Sequence, residues 1–165
     1  MRRLERLSAG HDLSRFHSGN EELDSWLRAH AWAAQQMDQV RTFVLIEDDR
    51  VIGHFGLTMG SVRRDEPPAG LVRGLPGYPV GMVLLARLAV DADHQGNGVG
   101  AQALAEALRR AVTAGEAAAA RLVVVDTIDT AAVSFYAHHG FVAVAEHPQR
   151  LYCRMQDIRA SLDKR

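Results

Sequence analysis

The feature that most constrains the fold is a glycine-rich turn, Gln95-Gly96-Asn97-Gly98-Val99-Gly100. It is set between an apolar run, Met82 to Val90, and an alanine- and leucine-rich segment, Ala101 to Ala114. Such an order reads as strand, turn and helix. The first N–H groups of a helix have no intrahelical partner and carry partial positive charge. Glycines let that backbone curl around a phosphate without a Cβ in the way. The turn therefore implies a pyrophosphate-bearing ligand. Spacing excludes two common alternatives. The glycines alternate, so the G-x-G-x-x-G dinucleotide fingerprint fails, and the chain's single lysine, Lys164, cannot supply the Gly-Lys-Ser/Thr ending of a nucleotide P-loop.

A chain of 165 residues is expected to form one domain, residues 1–165, with a sizeable core. Apolar residues make up 47% of it, ordinary for a globular protein. No apolar run approaches the roughly 18 residues needed to span a bilayer, so no membrane association is expected. Met1 to Arg6 begins basic but lacks the apolar stretch of a secretory signal. Cys153 is alone and cannot form an intrachain disulfide, which suits a cytoplasmic location. The net charge of −1 provides no global field toward nucleic acid.

Strands are expected at Arg3 to Leu7, Val40 to Glu47, Val51 to Met59 or beyond, Met82 to Val90, Arg121 to Thr127, Phe141 to Ala145 and Gln149 to Met155. Helices are expected at Glu21 to Met37, capped by Asn20, at Gly98 to Ala114 and at Thr130 to His139. A short helix or frayed tail covers Gln156 to Arg165, and Asp65 to Pro79 is a proline- and glycine-rich loop. The sum is an α/β fold with helices on both faces of a mixed sheet.

Gln-x-x-Gly-x-Gly after the strand Leu84-Leu85-Ala86-Arg87-Leu88-Ala89-Val90-Asp91 resembles the acetyl-CoA motif of the GNAT N-acetyltransferases. Ala132-Val133-Ser134-Phe135-Tyr136-Ala137-His138-His139-Gly140-Phe141 is similar to that family's A-x-x-F-Y-x-x-x-G-F signature. Asp129 stands seven residues before the tyrosine, where the family usually has Asn. Phe16-His17-Ser18-Gly19-Asn20-Glu21-Glu22-Leu23-Asp24-Ser25-Trp26-Leu27 resembles the F-x-C-G-x-x-x-L-D-x-W-L segment of GNAT toxins from type II toxin–antitoxin modules, with Ser18 for the cysteine. The resemblance runs from about Leu7 to Met155. It implies the GNAT fold, a mostly antiparallel twisted sheet. It also implies an acetyl-CoA-dependent enzyme that acetylates the α-amino group of aminoacyl-tRNA and so blocks translation. A homodimer and a ribbon-helix-helix antitoxin are the partners it implies.

The resemblance puts acetyl-CoA on Leu88, Ala89, Val90, Gln95, Gly96, Asn97, Gly98, Val99 and Gly100, with Ser134 and Phe135 beside it. Pantetheine would lie along Leu88-Ala89-Val90 like an added strand, with a backbone N–H near Leu88 supporting the oxyanion. Tyr136 is the candidate acid, because a phenol titrating near ~10 is protonated at neutral pH; the other reading is a buried tyrosine closing the channel. Many family members carry Glu where this chain has Ala86. A lysine amine, titrating near ~10.4, needs such a carboxylate more than an α-amine near ~7.7–8 does. The alanine therefore suits an α-amine acceptor.

Arg87, expected to face away from Leu88 by strand alternation, meets either a tRNA phosphate or a carboxylate. Arg41, with Thr42, has an equally open role as a substrate or tRNA contact. Arg63, Arg64 and Arg73 either line an RNA path or are solvated. No catalytic metal is expected, since the histidines show no paired ligand spacing. Two other readings share the cofactor residues. One is a GNAT enzyme acting on a protein N-terminus, polyamine or antibiotic, and the other a non-catalytic acyl-CoA-binding regulator.

Overall fold

The computed structural model describes residues 1–163. Seven strands form one sheet in the order β1-β2-β3-β4-β5-β7-β6, a mixed sheet accompanied by helices. They are β1 (Arg2–Arg6), β2 (Arg41–Glu47), β3 (Arg50–Val62), β4 (Val80–Val90), β5 (Leu122–Asp126), β6 (Val142–Val144) and β7 (His147–Arg154). The helices are α1 (Glu21–Ala29), α2 (Ala31–Gln36), α3 (Val99–Ala118), α4 (Thr130–His138) and α5 (Met155–Asp163). The chain divides into two compact units, residues 1–58 with 86–107 and residues 59–85 with 108–163. No described helix is long and apolar enough to cross a membrane.

In the first unit, β1 and β2 pair antiparallel from Arg2 opposite Glu47 to Arg6 opposite Phe43. The β2–β3 hairpin turns through Asp48 and Asp49, both left-handed at φ 51° and 62°. That turn geometry matches the right-handed twist of paired strands. Asn20 caps α1 as expected, its Oδ1 accepting from Leu23 N at 3.0 Å. The single helix expected over 21–37 is instead two, broken at His30, whose φ of −126° lies outside the helical region. The break re-aims α2 so that buried Gln35 accepts from Thr42 N at 3.0 Å and donates to Leu7 O. These are backbone groups that would otherwise be buried without partners. Beneath α1, Leu7, Phe16, Leu27, Ala31, Val44, Ile46, Val51 and Ala89 form a core cluster, each large apolar side chain contributing roughly 1.5–3 kcal/mol by burial.

In the second unit, β4 and β5 run parallel, Met82 to Leu85 opposite Leu122 to Val125. Leu122, Val123, Val124 and Val125 are all buried, the continuous apolar run of a strand covered on both faces. β5 and β6 each pair antiparallel with β7. Phe141, expected to open a strand, is buried just before β6. The proline-rich loop contains one 3-10 turn, Ala69–Leu71. It is held by Arg64 Nε on Leu75 O (2.7 Å) and Arg121 Nε on Leu71 O (3.1 Å). The tail expected to reach Arg165 is helical through Asp163; Lys164 and Arg165 lie outside the described residues.

Candidate active site

The pairing of β4 with β5 covers Met82 to Leu85, and two residues later Arg87 adopts a left-handed φ of 58°. A non-glycine residue there is uncommon and bends a strand as a bulge does. Simple alternation, which would set Arg87 opposite Leu88, is interrupted: Ala86, Arg87 and Leu88 are all half-buried. Beyond Arg87, Ala89 is buried in the core under α1, and Leu88 and Val90 are half-buried.

The chain leaves β4 through Asp91, which is fully buried and charged. Its carboxylate accepts from His17 N (3.0 Å), Arg50 Nη2 (2.9 Å) and Asp93 N (3.3 Å), and contacts His94 Nδ1 (3.0 Å). Burial alone would raise its pKa; the donors from His17, His94 and Arg50 outweigh burial and hold it below the usual carboxylate value. Asp91 N donates to Ile52 O and Ala92 N to His17 O. Strand β3, the loop before α1 and the end of β4 are thereby tied together.

Gln95 is exposed, and its Nε2 donates to Ser18 O (2.8 Å) and Val90 O (3.0 Å). The side-chain amide thus fixes the turn. Gly96 and Gly98 have φ of 84° and 77°, and a Cβ at either would meet open space. The glycines are required for conformation, not for room. Gly98 O accepts from Gln102 N at 3.0 Å, which starts α3. No acidic side chain occupies the first turn of that helix, so its positive end is not neutralised. Gln95 to Gly98 are exposed, Gly100 is half-buried, and Val99 is buried against Leu45 and Ile52, leaving its main chain for any ligand. Alternating glycines, free helix-end amides and no competing carboxylate fit a diphosphate.

Two polar residues nearby, Asp24 and His54, carry no site role on sequence grounds. Asp24 of α1 is fully buried and accepts from Ser18 N (2.9 Å) and Oγ (2.7 Å). Ser18 is therefore a hydrogen-bonding partner and more than a small filler. His54 of β3 is buried edge-on to Phe16 at 5.2 Å, and neither ring nitrogen has a partner among the described residues. Burial lowers its pKa to about 4; Asp24 opposes the shift and Arg87 adds to it. No sequence signal names the partners of positions 24 and 54. Asp91, by contrast, stands where the strand stops and was legible as a terminus. His17, Glu21 and Asp24 lie close enough to share an ion, though Asp24 is already engaged by Ser18.

Tyr136, Phe135 and Ser134 lie together on α4 in the second unit. The helix is capped by Asp129, whose Oδ1 accepts from Ala132 N at 2.8 Å. Asp therefore does here what a capping Asn would do. Tyr136 is buried, with Phe135 and Phe141 edge-on at 5.1 and 5.5 Å. Burial raises the pKa of its phenol, which keeps the hydroxyl protonated at neutral pH. Ser134 is exposed and Phe135 half-buried.

Of the arginines, Arg87 lies over the ring of Trp26, its Cζ 3.9 Å from the ring centroid. Arg41 is held by Gln35 O at 2.8 Å and by Asp38, a contact that closes the end of α2. Arg63 pairs with Asp65 and Glu66, and Arg64 is used by the loop backbone.

Residues 8–141 match the acetyltransferase (GNAT) family. The chain belongs to that family. As a GNAT acetyltransferase it uses acetyl-CoA as acetyl donor. It is 37% identical over 155 residues to a tRNA-acetylating toxin of Mycobacterium tuberculosis (strain ATCC 25618 / H37Rv), covering 94% of this chain and 93% of the relative. Among solved structures, AtaT complexed with acetyl-methionyl-tRNAfMet superposes with a TM-score of 0.90 at 26% identity, over 98% of this chain and 99% of that one. AtaTR bound with AcCoA superposes with a TM-score of 0.86 at 27% identity, over 98% of each chain.

Proposed function

We propose that this GNAT enzyme acetylates the α-amino group of aminoacyl-tRNA and so arrests translation. The observation that carries the reading is the end-to-end likeness to a tRNA-acetylating toxin at 37% identity. Ala86 supports it from chemistry: where a lysine side chain would need a carboxylate to take its proton, an α-amine near ~7.7–8 already has an appreciable neutral fraction at pH 7.

The backbone amides of Gly96 to Gly100 and the first turn of α3 hold the diphosphate of the donor, and Leu88 to Val90 align its pantetheine arm as an extra strand would. Bound there, acetyl-CoA supplies a thioester-activated acetyl group. The N–H at Leu88 donates to the acetyl carbonyl oxygen as negative charge gathers on it. As the amine nitrogen bonds to the acetyl carbon and the C–S bond breaks, Tyr136 Oη would give its proton to the departing sulfur and take back the proton the amine sheds. Ser134 and Phe135 border the donor. Arg41, engaged with Asp38 and Gln35 O, contributes by fixing α2. The enzyme acts in the cytoplasm as a homodimer and is restrained by a ribbon-helix-helix antitoxin.

Incubation with acetyl-CoA and charged tRNA, followed by mass analysis of the aminoacyl end, should show the gain of one acetyl group. Faster turnover on lysine side chains than on α-amines would overturn the reading, as would an acceptor confined to polyamines or antibiotics.

A further inference from the structure

Four arginines of the first unit are half-buried: Arg2, Arg41, Arg50 and Arg87. The first three each meet a carboxylate, Glu47, Asp38 and Asp91 respectively. Arg87 meets none. Among the described residues its guanidinium has no hydrogen-bond acceptor, only the face of Trp26. Burial makes its charged form less favourable, and no neighbouring carboxylate offsets that. A half-buried cation whose N–H donors meet no protein acceptor can offer them to a ligand. The residue also holds a left-handed φ of 58°, the kind of local strain that clusters at ligand clamps. The Trp26 ring lies 3.9 Å from the guanidinium carbon and accepts none of its N–H donors in a conventional hydrogen bond. The guanidinium is the fork that grips two oxygens of a phosphate at once.

We propose that Arg87, held over the ring of Trp26, clamps a phosphodiester in the single-stranded 3′ end of the acceptor RNA. This rests on the proposed aminoacyl-tRNA acceptor. Trp26 is the positioning residue: it orients the fork without touching the ligand. Phosphate on the coenzyme is the other source of the same chemistry, and binding measurements separate the two.

The probe is a stem-loop RNA ending in an unpaired, uncharged CCA, followed by fluorescence anisotropy across a salt series, so that no acetyl transfer is involved. Arg87→Gln should weaken binding about tenfold or more at low salt, within the range of one charge-assisted contact. The slope of log affinity against log salt should fall by about 0.7, the value for one single-strand phosphate. Arg87→Lys keeps the charge and should restore the slope but only part of the affinity. Trp26→Phe should bind nearly as the natural protein does, and Trp26→Leu should lose affinity without changing the slope. Calorimetry with coenzyme A should give the same affinity for all four variants. Unchanged RNA affinity and slope in Arg87→Gln would overturn the proposal, as would a loss confined to coenzyme A. If Arg87→Gln does not fold, Arg87→Lys decides: full affinity there would overturn the fork. Absence of RNA binding by the natural protein would instead remove the acceptor reading itself.

Discussion

In the unit formed by residues 1–58 and 86–107, the glycine turn is held by charge and directional bonds. Asp91 gathers donors from His17, Arg50, Asp93 and His94, and Asp24 gathers two from Ser18. In the unit formed by 59–85 and 108–163, Tyr136 is held by apolar packing between Phe135 and Phe141. The contrast follows from what each segment presents. Main-chain amides that grip an anion must be fixed in direction, and hydrogen bonds fix direction. A neutral phenol tolerates an apolar setting, and the surrounding aromatic rings provide one.

The largest effect should come from the second unit and be purely chemical. Tyr136→Phe should lower kcat by roughly 10²–10⁴-fold. Melting temperature and coenzyme affinity should hardly move, because the lost hydroxyl has no partner among the described residues. An equal loss of stability would show that the phenol is a packing element. In the first unit the reverse is expected. Asp91→Ala leaves Arg50 and the His17 amide facing an empty site and should cost about 3–5 kcal/mol by denaturant unfolding. Coenzyme binding should fall with it. A stable Asp91→Ala protein would mean that charge does not hold the turn.

A pH titration sharpens the same contrast. His54 has a folded pKa of about 4 against an ordinary 6.5, so the unfolded chain takes up a proton that the folded one refuses. Its neutral form favours folding fully above about pH 6.5. That contribution, roughly 3 kcal/mol, is lost as the pH falls from there toward 4. His54→Leu should flatten stability over this window, and an unchanged slope would assign it to other groups. The smallest effect should come from Gly98→Ala. With open space for the methyl group, only the left-handed backbone opposes it, costing about 1–2 kcal/mol. Coenzyme affinity should fall more than Arg87-dependent RNA affinity.

Much of this was legible in the chain because it is local. The Asn20 cap, the Asp48-Asp49 turn and the glycine turn are each set by neighbours within a few positions. The family signatures are local too, which is why fold and donor could be read. What escaped is non-local. The break at His30 exists so that Gln35 can reach Leu7 O and Thr42 N, 28 and 7 residues away. Arg50 and His17 meet Asp91 across 41 and 74 positions. The left-handed backbone at Arg87 overrides strand periodicity, and no spacing rule announces it. Arg41's bond to Gln35 O depends on where α2 ends, which the helical periodicity over 21–37 does not mark.

The amide of Gln95 has a consequence for how this enzyme tolerates change. Both of its N–H groups go to Ser18 O and Val90 O, so the turn presents main chain rather than that side chain to whatever it holds. Such a loop can drift at Asn97, whose side chain makes no described contact, and keep its grip. A change at Gln95 would loosen the loop without removing a single atom from the ligand's own surface. Natural variants should therefore be plentiful at 97 and scarce at 95.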